Sequence, residues 1–420
     1  MSRPLVPAHE VRPRPSTVKP PFNVKPHVMP KPILPKTILQ VIPNLDTGGA
    51  ERTAIDIAAA LAARGDKALV ASEGGRLAAE LEAAGGELIA MPLASKNPAV
   101  MAANAGRLAR LVRARGVDLV HARSRAPAWS ALLACRMTGT PFLTTYHGIY
   151  GQKSALKGFY NSVMARGDAV IANSRYTAEL VARRHGTPAG RITTIYRGTD
   201  LSRFDAGAIG EARRAALRAR WGLPEGARIV LNVARLTSWK GQEILIEAAA
   251  RLAKETDFTL VLAGDAQGRS DYRARLSAQI ERAGLAGRVL MPGHCEDVPA
   301  ALALASVAVV ASTEPEAFGR FAVEAQALGV PTVVSDLGPA RETVLAPPET
   351  PAPQRTGWRV AAGDAAALAE ALKQTLALPP GEREALAARA RAHAASFSLA
   401  AMSEATLKLY DAILSRTPES

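Results

Sequence analysis

The chain has 420 residues, of which 48% are apolar and 21% charged, and its formal net charge is +14. This length predicts two or three domains, and the composition excludes a wholly disordered or collagen-like chain. The uncharged stretch Val298 to Thr313 falls short of the ~20 residues that a membrane-spanning helix needs, and two cysteines are too few for a disulfide framework. We therefore expect a cytoplasmic protein with reduced cysteines.

A basic, proline-rich tail occupies residues 1–36, with seven Lys and Arg, one Glu and ten prolines. Frequent proline prevents a helix, so we predict a disordered segment. Together with the helical row Arg107, Arg110, Arg113 and Arg115, its charge suits peripheral contact with an anionic membrane, although a solvated tail also explains it. We expect no nucleic-acid partner, because aromatic residues are not interleaved with these arginines.

Short apolar runs alternate with helical segments from residue 37 onward, which predicts a parallel sheet covered on both faces. The first run, Thr37 to Pro43, is followed by a glycine turn and an alanine-rich helix at about Ala50 to Arg64. Further strands are expected at Ala68–Ala71, Leu88–Met91, Val117–His121, Pro141–Thr145, Ala169–Ala172 and Ile192–Tyr196.

A second alternating series begins with the run RIVLNVA at Arg228 to Ala234. Its later strands are expected at Thr259–Ala263, Val289–Met291, Val307–Ala311, Pro331–Val334 and Trp358–Val360. Two doubly wound, Rossmann-like α/β domains are the predicted architecture. We assign the first domain to residues 37–197 and the second to 198–396. Residues 397–420 are predicted to hold a helix, Leu399 to Ser415, that crosses back to the first domain, and then a short tail.

Ligands of such sheets bind at the carboxyl ends of the strands, so we looked for chemistry there. Gly48 and Gly49 follow the first strand and precede its helix, where bare backbone can approach a phosphate. A tight turn alone explains them equally well. Arg235 and Lys240 lie in the turn RLTSWKG after the first strand of the second domain, and two cations there suit a diphosphate.

The segment EAFGRFAVE supplies the third set of candidates. Phe318, Gly319 and Arg320 should open a helix whose free amides can face an anion. Glu316 precedes that helix and Glu324 lies about one turn inside it, so both carboxylates can accept hydrogen bonds from sugar hydroxyls.

These residues, taken in order, resemble a known family, the retaining GT-B glycosyltransferases of family 4. The resemblance covers roughly residues 37 to 415, and the segment with Glu316 and Glu324 is its most specific part. The matching segments are GGAER (48–52), YHG (146–148), ANSRYTAELV (172–181), RGTDLSRF (197–204), VARLTSWKG (233–241), LAGDAQ (262–267) and EPEAFGRFAVEAQALGVPTVVSD (314–336).

The resemblance implies two domains that face each other across a cleft, with a nucleotide-sugar donor held mostly by the second and the acceptor by the first. It also implies residue roles. Glu316 would contact the donor sugar and Glu324 the ribose, while Arg235 and Lys240 would stabilise the leaving diphosphate. Gly49 would contact the diphosphate from the first domain, and His147 would lie near the transferred sugar.

One residue pair departs from the family pattern, and His121 is a second candidate histidine. The usual Asn-Gly before the hinge aspartate is Arg197-Gly198 here, a change that we expect to leave the chemistry untouched. His121 also follows a strand, but a histidine there can simply cap its loop, so it ranks below His147. No two aspartates are separated by one residue, so we expect no metal and no other cofactor.

The predicted reaction is retaining transfer of a sugar from a nucleotide-sugar to a glycan or lipid-linked acceptor. No nucleophile with a paired base emerges, so the departing phosphate oxygen would itself accept the acceptor's proton. The protein would supply orientation and charge stabilisation. By association, we expect the enzyme to act in the synthesis of bacterial envelope polysaccharide or lipopolysaccharide. A nucleotide-sugar 2-epimerase of the same fold is the alternative, and it would interconvert sugars without an acceptor.

Overall fold

The computed structural model describes residues 35–46, 48–151, 154–268 and 270–415. Nearly all of the predicted basic tail, and with it the tail's predicted membrane contact, lies outside the described residues. Within them, no helix is both long and apolar enough to span a membrane. Both cysteines, Cys135 and Cys295, are free and buried.

The first sheet is parallel, and its order in the described residues is β3-β2-β1-β4-β5-β6-β7. Every strand predicted for the first half of the chain is present. Its residues form nearly continuous apolar runs because helices cover both faces of the sheet. The strands are β1 (Thr37–Val41), β2 (Lys67–Ser72), β3 (Gly86–Ala90), β4 (Leu119–Ala122), β5 (Phe142–Tyr146), β6 (Ala169–Ala172) and β7 (Ile192–Thr194).

Helices connect these strands. Most of them end at a glycine in the left-handed region, such as Gly65 with a φ of 88° and Gly139 with a φ of 72°, where a side chain would be strained. The helices of the first sheet are α1 (Gly49–Arg64), α2 (Ala78–Ala83), α3 (Pro98–Arg115), α4 (Arg125–Thr138), α5 (Ala155–Ser162) and α6 (Arg175–His185).

The second sheet repeats this plan in the order β10-β9-β8-β11-β12-β13 and is parallel throughout. All strands predicted for the second half of the chain are confirmed. They are β8 (Ile229–Val233), β9 (Thr259–Ala263), β10 (Val289–Gly293), β11 (Val307–Val310), β12 (Thr332–Ser335) and β13 (Trp358–Val360). The helices are α7 (Glu211–Trp221), α8 (Gln242–Leu252), α9 (Ser270–Arg282), α10 (Val298–Leu304), α11 (Arg320–Ala327), α12 (Ala340–Thr343), α13 (Ala365–Leu376) and α14 (Pro380–Ala394).

The last helix, α15 (Leu399–Leu414), returns to the first sheet. Its buried Met402, Tyr410 and Ile413 share one apolar cluster with Ile38 and other residues of β1 and α1. Where the chain passes between the sheets, the Thr199 amide donates to the Phe397 carbonyl at 2.8 Å, and the Leu399 amide donates to the Thr199 carbonyl at 3.1 Å. Two segments of chain therefore run side by side between the sheets.

Candidate functional site

Both sheets reverse their strand order at one place, between β1 and β4 in the first and between β8 and β11 in the second. Loops that leave neighbouring strands at such a reversal diverge and leave a crevice beyond the strand ends. The predicted Gly48–Gly49 pair follows β1, and Arg235 and Lys240 follow β8. Glu316 lies between β11 and α11. The candidate residues thus lie at the two reversals.

Lys240 and Glu316 form an ion pair at the reversal of the second sheet. The Lys240 Nζ donates to Oε1 of Glu316 at 2.6 Å, and the Ser312 hydroxyl donates to the same oxygen at 2.7 Å. No described residue donates a hydrogen bond to Oε2. Both side chains of the pair keep some exposure, 15% for Lys240 and 21% for Glu316. A ligand in the crevice can therefore reach both charges.

Arg235 is separate from this pair. Its side chain is exposed, and it makes no hydrogen bond or ion pair to another described residue. Its main chain is held, because the Gln242 amide donates to the Arg235 carbonyl at 3.0 Å. The structure therefore joins Lys240 to Glu316 and leaves the Arg235 guanidinium free to meet an anion.

Helix α11 begins after Gly319, whose φ of 84° lies in the left-handed region that favours glycine. Arg320 and Glu324 are four positions apart on this helix, and their side chains form an ion pair at 2.9 Å. Burial raises the pKa of Glu324, and the Arg320 cation opposes this shift. Glu324 is only 8% exposed, so its carboxylate is held in a low-dielectric place beside the crevice.

The Phe318 side chain does not face a ligand. It is 2% exposed and packs edge to face on Phe397, with ring centroids 5.4 Å apart, next to Tyr196. Only the main chain of Phe318 is in a position to contribute to an anion site. The side chain instead anchors the start of α11 to the segment that precedes α15.

Across the crevice, Gly48 and Gly49 begin α1 and line a cavity of about 670 Å³. The Arg320 side chain lines the same cavity from the second domain, and Arg197 lines it from the segment between the domains. A Cβ at residue 49 would overlap the Arg197 guanidinium. Arg197, expected to leave the chemistry untouched, thus lies against Gly49, the residue to which the resemblance assigns contact with the diphosphate.

Arg197 is a half-buried cation, and no described residue accepts a hydrogen bond from its side chain. Burial lowers its pKa to about 10, and the Arg320 cation adds to this effect, while Glu51 and Glu324 oppose it. Asp56 lines the same cavity, and burial raises its pKa to about 6. Sequence reasoning noticed Arg197 only as a departure from a motif; that departure was the signal that could have identified it.

The two histidines have different surroundings. His121 is fully buried, with Nδ1 at 2.7 Å from the Tyr410 hydroxyl and Nε2 at 2.6 Å from the Thr145 hydroxyl. Both ring nitrogens are thus occupied. The Nε2 of His147 is buried without a hydrogen-bond partner in the described residues. Burial, aided by Arg123 and Arg197, holds the pKa of His147 well below its usual range, so this imidazole is neutral.

The described residues contain no cluster of three His, Cys, Asp or Glu side chains that could hold a metal ion. Metal independence nevertheless stays a prediction. The cations on the two sides of the crevice include Arg235 and Lys240 after β8, and Arg197 and Arg320 at the cavity beside Gly49.

Two family models match the chain. Residues 47–203 match Glycosyltransferase Family 4, and residues 213–393 match Glycosyl transferases group 1. Similar curated proteins include the D-inositol 3-phosphate glycosyltransferase of Xylanimonas cellulosilytica, 31% identical over 72% of this chain and 73% of that protein. The Salinispora arenicola protein of the same name is 31% identical over 72% of this chain and 70% of its own length.

Solved structures agree in fold. A glycosyltransferase from Rickettsia africae has a TM-score of 0.83 at 32% identity, covering 92% of this chain and all of that one. The Anabaena protein HepE in complex with UDP-glucose has a TM-score of 0.73 at 27% identity, covering 90% of this chain and 99% of that one. With two parallel α/β domains and candidate residues at both strand-order reversals, the chain belongs to the GT-B glycosyltransferases of family 4 and is a glycosyltransferase.

Proposed function

We propose that this protein transfers a sugar, with retention of its anomeric configuration, from a nucleotide-sugar to a hydroxyl of an acceptor. The observation that carries the proposal is the Lys240–Glu316 pair with Ser312, exposed to the crevice at the reversal of the second sheet. A cation for the leaving diphosphate and a carboxylate for the sugar stand together there. We include His147 in the site because its imidazole is neutral and its Nε2 has no hydrogen-bond partner among the described residues.

The chain's own groups would act mainly by charge. As the bond between sugar and diphosphate lengthens, negative charge grows on the phosphate and positive charge on the sugar ring. Lys240 and Arg235 would stabilise the negative charge on the phosphate, and Glu316 would stabilise the positive charge on the sugar ring. The leaving phosphate oxygen would accept the acceptor's proton on the same face. Glu324, held by Arg320, would accept hydrogen bonds from the ribose hydroxyls, and Gly49 would let the diphosphate approach α1.

The donor proposed for first tests is a uridine diphosphate sugar. The support is likeness to HepE, which was solved with UDP and with UDP-glucose and is 26–27% identical to this chain. A panel of UDP, GDP and ADP in a thermal-shift assay tests the base. A ligand present at about 100 times its Kd should stabilise the protein by about 2.7 kcal/mol.

Two acceptor classes are proposed. Envelope glycans, including lipid-linked ones, follow from the resemblance and the basic charge of the chain. A phosphate-bearing polyol is the second, because similar proteins are named D-inositol 3-phosphate glycosyltransferases. The cavity at Gly49 favours the second class, since Arg197 offers it a cation that no described residue neutralises by a hydrogen bond. Cytoplasmic location and metal independence are further parts of the proposal.

The test is turnover of UDP-glucose and related donors with D-inositol 3-phosphate and with lipid-linked oligosaccharide, in buffer with chelator. The anomer of the product, read by NMR, tests retention. Sugar interconversion without an acceptor would indicate the epimerase instead. Turnover that requires added divalent cation would contradict metal independence. The Glu316→Gln variant is the control, because product that forms equally with this variant does not come from the proposed site.

A further inference from the structure

The large apolar side chains that stay exposed in the described residues all lie on α4 and α5. Leu133 and Met137 of α4 are 44% and 54% exposed, and Leu156 and Phe159 of α5 are 79% and 56% exposed. Each pair is three or four residues apart and therefore shares one helix face. Single exposed apolar residues are ordinary, but a contiguous group marks an interaction surface. We call this group, with the cavities beside it, the α4–α5 face.

An apolar cavity of about 680 Å³ joins the two helices. Leu133, Leu156 and Phe159 line it, and the ring of Phe159 stacks on Trp129 with centroids 5.1 Å apart. Lys157 lies at its margin. The face is therefore preformed, and its exposed Phe159 is supported by the half-buried Trp129.

A second cavity, of about 640 Å³, adjoins the first, because Phe159 lines both. Four arginines line it, and neither cavity has an Asp or Glu among its described lining residues. The buried Thr187 hydroxyl lines this cavity and has no hydrogen-bond partner in the described part of the chain. An anion would satisfy both the hydroxyl and the positive charge. The arginines are Arg136, Arg166, Arg184 and Arg191.

The cations and the apolar groups are held together. The Arg166 guanidinium lies 5.2 Å from the Trp129 ring centroid and 5.1 Å from that of Phe159. On the other side, Arg113 of α3 donates to the Met137 carbonyl at 2.7 Å. In the arginine row of α3, Arg115 is paired with Glu87. Charge is thus concentrated around the exposed apolar residues.

We propose that the α4–α5 face docks on an anionic phospholipid bilayer. Leu156 and Phe159 enter the acyl boundary, and the arginine cavity binds a lipid phosphate, for which the guanidinium is the best-suited side chain. Charge complementarity favours an anionic bilayer over a second copy of this chain as the partner of the face. Two copies of this chain would bring like charges together, whereas the anionic lipid surface attracts each nearby Lys or Arg by about 1 kcal/mol.

Docking there would bring the membrane close to the acceptor side of the crevice. The Arg125 guanidinium lies 4.4 Å from the ring of Tyr150 and 5.8 Å from that of Tyr160, which lines the apolar cavity. Tyr150 itself is three residues from His147. The α4–α5 face would supply the surface for the membrane contact expected from the charge of the chain, whichever acceptor is used.

The experiment is flotation of the full-length protein with vesicles of phosphatidylcholine alone or mixed with phosphatidylglycerol, at low and high salt. One variant removes the apolar contact, Leu156→Ser with Phe159→Ser. A second removes the charge, Arg136→Glu with Arg191→Glu. The matched control, Lys254→Glu with Arg282→Glu, makes the same charge change at exposed positions of the second domain.

The wild-type and control proteins should float with the mixed vesicles at low salt, and both face variants should bind at least about tenfold more weakly. High salt should weaken wild-type binding, because the Debye length falls to ~3 Å at 1 M. Undiminished binding of both face variants, failure of the wild-type protein to bind, or a dimer that Leu156→Ser with Phe159→Ser abolishes would each overturn the proposal. Turnover of a soluble acceptor should stay at the wild-type level in every variant, so a failure of the proposed function is recognised separately.

Discussion

The guanidinium of Arg197 lies against Gly49, in the space that any side chain at position 49 would occupy. Gly49 begins α1 of the first domain, and Arg197 belongs to the segment that leads to the second. One cation therefore reaches the N-terminus of α1 from between the domains. Because this half-buried cation has no hydrogen-bond partner among the described residues, it is free to pair with an anion in the cavity.

Replacing Arg197 by Ala should lower kcat/KM about 10²-fold, because it removes a cation from the site of the leaving diphosphate or of an acceptor phosphate. Arg197→Asn, the usual residue of the family at this position, is the informative companion. The loss should appear with a phosphorylated acceptor and vanish with a neutral one if the acceptor is the anion bound. A loss of UDP affinity measured by calorimetry would assign Arg197 to the donor instead.

Gly49→Ala should displace the Arg197 side chain with little effect on folding, since only the end of a flexible side chain must move. The Gly49→Ala and Arg197→Ala losses should therefore not add in the double variant, as measured by kcat/KM. Fully additive losses would mean that the new methyl group obstructs the substrate directly. Melting temperatures of the three variants serve as the control for folding.

Glu316→Gln should depress kcat by about 10² or more, because the amide keeps the shape of the side chain but loses the charge that opposes the positive sugar ring. The affinity for UDP should be nearly unchanged. Lys240→Met tests the ion-pair partner of Glu316. It should lower both kcat and the affinity for UDP, since it removes a cation that faces the diphosphate as well as the 2.6 Å contact to Glu316. Wild-type turnover by Glu316→Gln would remove Glu316 from the catalytic residues.

Glu324→Ala should act in the opposite way and weaken UDP binding about 10-fold to 100-fold, because it removes charged acceptors for the ribose hydroxyls. The effect on kcat at saturating donor should be small. Arg320→Ala is the companion variant, since it keeps the Glu324 carboxylate but removes its 2.9 Å ion pair and one cation of the cavity. Isothermal titration of both variants separates the two contributions, and unchanged UDP affinity in Glu324→Ala would contradict the ribose role.

Tyr410→Phe should destabilise the protein by about 1–3 kcal/mol, because it leaves Nδ1 of the buried His121 without its 2.7 Å partner. Urea unfolding measures this loss. The kinetic constants at temperatures well below the transition should not change, since His121 and Tyr410 fasten α15 to the first sheet. A large fall in kcat in the folded variant would place His121 in the site after all.

Asp56→Asn should stabilise the protein above pH 6. The pKa of Asp56 is raised by burial to about 6 from 3.8, so the folded state binds more protons than the unfolded state between these values. Its contribution to stability therefore falls as the pH rises through this window. After allowance for partial exposure, the gain at pH 7.5 should be about 1–2 kcal/mol and should shrink towards pH 4. Urea unfolding across this range provides the measurement, and an equal effect at all pH values would contradict it.

The sequence alone determined the architecture and the candidate positions of the site. Strands buried on both faces read as continuous apolar runs, and helices begin and end at recognisable residues, because both patterns depend on near neighbours in the chain. Gly49, Lys240 and Glu316 became candidates for the same reason, since each lies where the chain passes from a strand to the next α-helix.

The tertiary structure decided which of these residues meet. Lys240 and Glu316 are 76 residues apart, and His121 and Tyr410 are 289 apart, so their contacts depend on strand order and on the return of α15. The contact of Arg197 with Gly49 also depends on how distant segments pack. The motif in which Arg197 replaces asparagine does not show where its side chain points. Packing likewise decided that the apolar residues Leu133, Met137, Leu156 and Phe159 of α4 and α5 stay exposed. Local periodicity specifies elements, whereas side-chain direction and contacts between distant segments arise only when those elements pack.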